Sequence, residues 1–399
     1  MNQIPISNQH MSTPPATATR FALWNLGFRP FYLLAAVFGA TSILLWAVQF
    51  SGLLPAAYLQ GSGWHGHEML FGYATAVIAG FLLTAVRAWT NQPTPSGVPL
   101  MALALLWVCG RILVLTPYAT VAAVVNASFP LAIAVAIGIP IWRSRNVRNY
   151  FFVGLLALIG ALTLAVHLGL HQRLNIPSHL GLQLALDVVL FIMVVMAGRV
   201  IPMFTNNGIP GANATRKPLL EKAALGAVIV LFLADLLQLP AAIIAAVTLA
   251  AALAHGARLM LWKPWRTLAT PLVWVLHGAY AWIVVHLVLR GVLALDLLAG
   301  SFAIHALTVG AIGGLTIGMM TRTARGHTGR PLAADGFELA MFLLIQAAAV
   351  VRVFGGVALP GQYLISVQIS ALLWAAAFTL YAVRYWPVLT RPRLDGKPG

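Results

Sequence analysis

Twelve apolar stretches of about twenty residues succeed one another along this 399-residue chain, separated only by short breaks. A helix needs roughly 20 apolar residues to cross the hydrocarbon core of a bilayer. Windows of that length fall at 30–50, 65–88, 97–115, 119–142, 150–172, 179–204, 219–237, 240–262, 268–290, 300–321, 335–355 and 363–386. The breaks hold residues that end helices: Pro93 and Pro95, Pro117, Pro177, Asn206-Asn207-Gly208, Pro240, Pro264, Gly329 to Pro331, and Gly355-Gly356. Charged residues make up 8% of the chain, against roughly 25% in an ordinary globular domain. The expected fold is an all-α, polytopic membrane protein of twelve transmembrane helices.

No gap is long enough for a soluble domain. The expected division is a disordered cytoplasmic tail at 1–20, a twelve-helix membrane domain at 21–386 and a cytoplasmic C-terminal tail at 387–399. The first twenty residues have no basic residue before Arg20, so they do not read as a secretory signal.

A net charge of +16 gathered in one patch would point to nucleic acid or acidic lipid. Here it is scattered in small clusters between apolar runs, so it reports topology, and no nucleic-acid partner is expected. Lys and Arg are retained on the cytoplasmic side. Arg20 and Arg29 precede helix 1; Arg143, Arg145 and Arg148 come after helix 4; Arg216, Lys217 and Lys222 come after helix 6; Arg258, Lys263 and Arg266 lie around the helix 8–9 break; Arg322, Arg325 and Arg330 come after helix 10. The alternate breaks hold little beyond Arg173 and Arg290. Both termini are therefore expected in the cytoplasm. The single cysteine, Cys109, lies inside an apolar run; it leaves no intramolecular disulfide, thiolate cluster or CxxCH haem attachment, and any haem would be non-covalent.

This topology gives each histidine a depth. His65 and His67 begin helix 2, His167 and His171 end helix 5, His179 begins helix 6, His286 is near the end of helix 9, and His305 is near the start of helix 10. All seven lie toward the outer surface. Interfacial preference alone would populate both leaflets, so a shared metal or haem site accounts better for the one-sidedness. His167 and His171, four apart, share a helix face, and His179 comes after a turn. His277 and His286, nine apart, are about half a turn out of phase, which favours His286 over His277. His65 and His67, two apart, diverge on a regular helix, so one of them is expected to point into the bundle. Glu68 could fix a histidine tautomer, carry a proton, or simply favour a helix N-terminus.

Helices 2, 6 and 10 resemble one another. Each has an outer histidine with an arginine twenty residues on: His67 with Arg87, His179 with Arg199, His305 with Arg325. Threonines stand close by at Thr90, Thr205 and Thr328. Three parallel four-helix units about a pseudo-threefold axis would explain the spacing. Gly310, Gly314 and Gly318 form a small-residue ridge suited to close helix packing on a face away from His305.

Several segments together resemble the NnrS family: Gly27-Phe28-Arg29-Pro30-Phe31, Trp64-His65-Gly66-His67-Glu68-Met69 with Ala79-Gly80-Phe81-Leu82-Leu83-Thr84-Ala85, Gly198-Arg199-Val200-Ile201-Pro202, Met320-Thr321-Arg322, and Gly326-His327-Thr328-Gly329-Arg330. Arg87 departs from that pattern, where a less charged residue is expected. The resemblance implies a bacterial inner-membrane haem and copper protein linked to denitrification and nitric oxide tolerance. More distantly, the architecture is similar to the catalytic subunit of haem-copper oxidases. That likeness implies His65 or His67 paired with His305 as axial ligands of a haem b, and leaves copper, if bound, to His167, His171, His179 and His286. Glu68 is the candidate catalytic group.

Nitric oxide and the lipid bilayer are the expected partners, with the electron donor open. An NO-reducing or scavenging oxidoreductase is one outcome; a haem or metal transporter, or a non-catalytic partner of respiratory nitric oxide metabolism, are the alternatives. The topology has a direct check: a reporter fused after residue 399 should be active only on the cytoplasmic side, and activity outside overturns the assignment.

Overall fold

The computed structural model describes residues 21–53, 61–170 and 177–397. Among these residues no strand occurs, and the chain forms twelve helical rods: α1 (Phe28–Phe50), α2 (Gly61–Thr90), α3 (Val98–Leu113), α4 (Ala119–Arg143), α5 (Phe151–Leu170), α6 (Ser178–Gly208), α7 (Pro218–Leu236), α8 (Ala241–Leu261), α9 (Pro271–Ala294), α10 (Phe302–His327), α11 (Gly336–Ala358) and α12 (Tyr363–Thr390). Each apolar stretch closes its own backbone hydrogen bonds, as a chain must where no water is present. Ten described helices are long and apolar enough to cross a membrane. The other two rods fall short differently. The 16 residues of α3 span only about 24 Å at 1.5 Å per residue, and α7 carries Glu221, Lys222 and Asp235 within its 19 residues.

Consecutive rods pack side by side, and α12 returns to α1, closing the ring. The helices are not equally enclosed. The most apolar windows of α2 and α6 are 78% and 72% buried, those of α9 and α10 61% each, while those of α8 and α11 are only 39% and 33% buried. The outer rods turn Leu253, Val383 and Leu105 outward, the pattern of an apolar shell around a more polar centre.

Two of the enclosed helices are not regular. In α2 the segment Glu68–Ala74 winds as a π-helix, and in α10 so does Ala306–Gly313. Each wide turn starts directly after a histidine, His67 or His305. A π turn holds one residue more than an α turn and leaves carbonyls out of line with the regular ladder. Side chains collect them: Trp107 Nε1 donates to Gly72 O at 3.0 Å, Thr75 Oγ1 donates to Phe71 O, and Thr316 Oγ1 donates to Ile312 O at 2.7 Å.

The glycine ridge of α10 packs on α9. A Cβ on Gly314 would meet Ala279 Cβ at 2.6 Å, and one on Gly318 would meet Leu276 Cδ2 at 2.8 Å. Gly310 faces Trp282 in the same way. His305 is meanwhile free to serve another face of the helix. In detergent, Gly314→Leu is expected to cost about 1–3 kcal/mol of stability through overpacking. Gly226→Leu, where an added side chain meets open space, should leave the thermal midpoint nearly unchanged; equal midpoints for the two variants would refute the packing role.

Candidate functional site

The starts of α2, α6, α10 and α12 and the ends of α1 and α11 meet at one end of the bundle, and a cavity of about 650 Å³ lies between them. His65, His179 and His305 line it, one from each of the enclosed helices α2, α6 and α10. Most of the remaining lining is apolar, including Ile43, Leu70, Ile312 and Trp374, and Arg352 of α11 is the one Lys or Arg among the described lining residues.

The rings of His65 and His305 have centroids 6.5 Å apart and planes within 13° of parallel. That is too far for ring-on-ring contact, although the planes are aligned. Trp46 also packs on His65, stacked at 4.9 Å and 12°. His305 Nδ1 lies 2.7 Å from Ser301 O. A carbonyl only accepts, so Nδ1 carries the proton and Nε2 keeps its lone pair, the arrangement that prepares an imidazole as a metal ligand. His179 stands exposed on the wall.

Behind this cavity, deeper in the protein, lies a second polar group. His67 is fully buried, and its Nε2 is 3.0 Å from Nε2 of His167 on α5. His67 Nδ1 donates to Glu68 Oε1 at 2.7 Å. The same oxygen takes Arg111 Nη1 of α3 at 2.9 Å, and Arg111 Nη2 donates to Asn126 Oδ1 of α4. Glu68 is thus a pivot between a guanidinium and an imidazole. It fixes the His67 tautomer and neutralises Arg111. Removing one partner from an ion pair this deep costs about 3–5 kcal/mol. Gly72 gives Arg111 its room: a Cβ there would meet the guanidinium and Phe38.

His65 and His67 diverge as their spacing requires, yet both are enclosed: one enters the cavity and the other the buried pair. Two neighbouring places take the histidines that one shared site was expected to gather. The structure does not bring His286 or His179 to His167. His286 Nδ1 donates to Ala303 O at 2.7 Å, and its buried Nε2 has no hydrogen-bond partner. His171 lies outside the described residues. Among the described residues no three His, Cys, Asp or Glu side chains form a metal-holding group. His277 bonds to Val273 O and Trp262 O at 3.1 and 3.3 Å, apart from both places.

The arginine at +20 has a different setting in each of the three helices. Arg87 is exposed, Arg199 donates to Asn149 Oδ1 at 2.8 Å, and Arg325 pairs with Glu338 at 2.7 Å. The threonines behave alike: Thr90, Thr205 and Thr328 are all buried and each donates to the carbonyl four residues before it.

The histidine pattern does not mark Arg111, Asn126 or Arg352. A lone charge inside an apolar window is the signal that finds the two arginines, since intramembrane ions are costly unless matched. Trp46 carries no such signal, because its role emerges only once α1 and α2 are side by side.

Comparison with curated proteins gives no match. The family model described as NnrS protein matches residues 22–393, nearly the whole chain. The chain belongs to the NnrS family.

Proposed function

We propose that the protein is a haem-binding membrane protein of the nitric oxide response, in which His65 and His305 would hold the haem inside the cavity. The imidazole pair carries this reading. The two rings stand 6.5 Å apart with nearly parallel planes, a spacing that would leave room for a metal to be held by both. The His305 tautomer leaves Nε2 ready to ligate. The cavity volume of about 650 Å³ falls within the roughly 300–1,000 Å³ of ligand pockets, whose walls are likewise mostly apolar. Haem, when bound, supplies an iron that takes nitric oxide and passes single electrons.

The chain's own residues set the terms. Trp46 fixes the plane of His65, Ser301 O fixes that of His305, and the apolar wall excludes water. His65 and His305 would both hold the haem, which would leave no position of the iron free of protein. Binding and tolerance therefore fit the site more directly than turnover.

A copper, if present, would use His67 and His167, whose nitrogens at 3.0 Å suit adjacent ligands about 2.0–2.1 Å from one ion. Glu68 orients His67 for that role and, held by Arg111, is an orienting group in place of a free proton carrier. Two imidazoles alone do not complete such a centre.

The same reading takes all twelve rods across the bacterial inner membrane with both termini cytoplasmic. It places α2, α6 and α10 at equivalent inner positions of three four-helix units, and the cavity then faces outward. The high burial of α2 and α6 and the matching threonine bonds support it.

Purified protein should show a low-spin haem absorption spectrum that changes on adding nitric oxide. His65→Ala and His305→Ala should each abolish the low-spin signature, and His286→Ala should leave it intact. A colourless wild-type preparation from haem-replete cells, or a signature that survives both variants, would overturn the assignment.

A further inference from the structure

The chain has eight acidic residues in all, and the residues outside those described include none of them. Seven are spoken for. Glu68 is held by Arg111 and His67, Asp187 and Asp235 by Arg290, Glu221 by Arg258 and Arg216, Asp335 by Arg384, Glu338 by Arg325, and Asp395 by Arg393. The eighth, Asp296, is exposed in the connection after α9 and forms no ion pair among the described residues.

At the cavity end of the bundle the described arginines of the helices are Arg111, Arg290 and Arg352. The first two have acidic partners. Arg352 does not. Its contacts are neutral: Nη2 lies 3.5 Å from Ser301 Oγ and 3.2 Å from Tyr363 Oη, and the guanidinium carbon sits 5.5 Å from the centre of the Tyr363 ring. Both hydrogen bonds use one nitrogen, so the other N–H groups of the fork remain to be used. Arg352 is half-buried on the wall of a largely apolar cavity, and no acidic residue of the chain meets it, so its remaining N–H groups are open to an anion that enters there.

We infer that Arg352 receives a carboxylate of the ligand that fills the cavity, and so fixes which edge of that ligand faces the open end. The inference rests on the haem reading for what occupies the cavity and adds the chemical class of its rim. Ser301 lies in the connection between α9 and α10, and exposed Tyr363 opens α12. A carboxylate docked beside them would lie toward the end of the bundle, leaving the apolar lining, Ile43 and Trp374 among it, to the ligand's apolar body. A fork-shaped cation suits a carboxylate better than a point charge does, because it can give two parallel N–H bonds.

The test is equilibrium binding to the full-length protein in detergent, monitored by absorption, of haem and of its dimethyl ester, which keeps ring and iron but masks both carboxylates. Wild type should prefer haem over the ester by about ten- to a hundredfold, the scale of a charged hydrogen bond. Arg352→Gln should lose that preference and bind both as wild type binds the ester, while Arg352→Lys should keep part of it. A preference undiminished in Arg352→Gln refutes the inference while leaving the haem reading intact. If wild type binds neither compound, it is the haem reading that falls, and the inference with it. If wild type binds both equally, and nitrite perturbs its spectrum but not that of Arg352→Gln, the anion is a small free one and the carboxylate assignment is wrong. Should Arg352→Gln not fold, the wild-type comparison of haem with its ester still decides the matter.

Discussion

An ion enclosed among apolar helices needs an opposite charge, and this chain has few to give. Eight acidic residues face twenty-four basic ones, so nearly every acid inside the bundle is used to settle an arginine. That constraint arranges the polar interior. It draws α2, α3 and α4 together through Glu68, Arg111 and Asn126, and α6, α7 and α9 together through Asp187, Asp235 and Arg290. It also joins α7 to α8 through Glu221 and Arg258 at 2.6 Å. Apolar packing alone would hold these helices in many rotations about their axes; the ion pairs select one.

Selecting the rotation of α2 has a direct effect on the candidate site. Once Glu68 is fixed by Arg111, the residue before it must present its ring to α5, where His167 stands. Two residues earlier, His65 faces away from that pair, toward α10. The buried pair and the cavity are therefore two results of one anchoring contact.

Much of the architecture is legible in the sequence because a helix in hydrocarbon must be apolar along its whole length and signals its own presence. The window at 65–88 and the rod Gly61–Thr90 describe the same element, and the last window, ending at 386, falls four residues short of the observed end at Thr390. The spacing of His65 and His67 shows that they diverge, but not where each goes. That depends on α5 and α10, whose His167 and His305 stand opposite them across 100 and 240 residues of chain. His167 likewise reads as a partner of its own hairpin neighbours, and among the described residues its ring meets His67 of α2. Periodicity ranks faces on one helix; it does not choose between neighbours. The π segments escape it too, since Glu68–Ala74 and Ala306–Gly313 differ in composition from the regular turns around them by nothing that marks the extra residue.

Those two segments carry a consequence for how such a site arises. A π turn is an α-helix with one residue inserted, and everything before the insertion is rotated by about 100° relative to the residues after it. In both α2 and α10 the histidines of the cavity stand just ahead of the insertion, and the packed glycines Gly80, Gly314 and Gly318 and the threonines Thr84 and Thr321 stand behind it. The packed body of each helix and its functional tip are thus free of one another in register. A lineage could turn the tip toward a new neighbour by gaining or losing a single residue, without disturbing a contact deeper in the bundle.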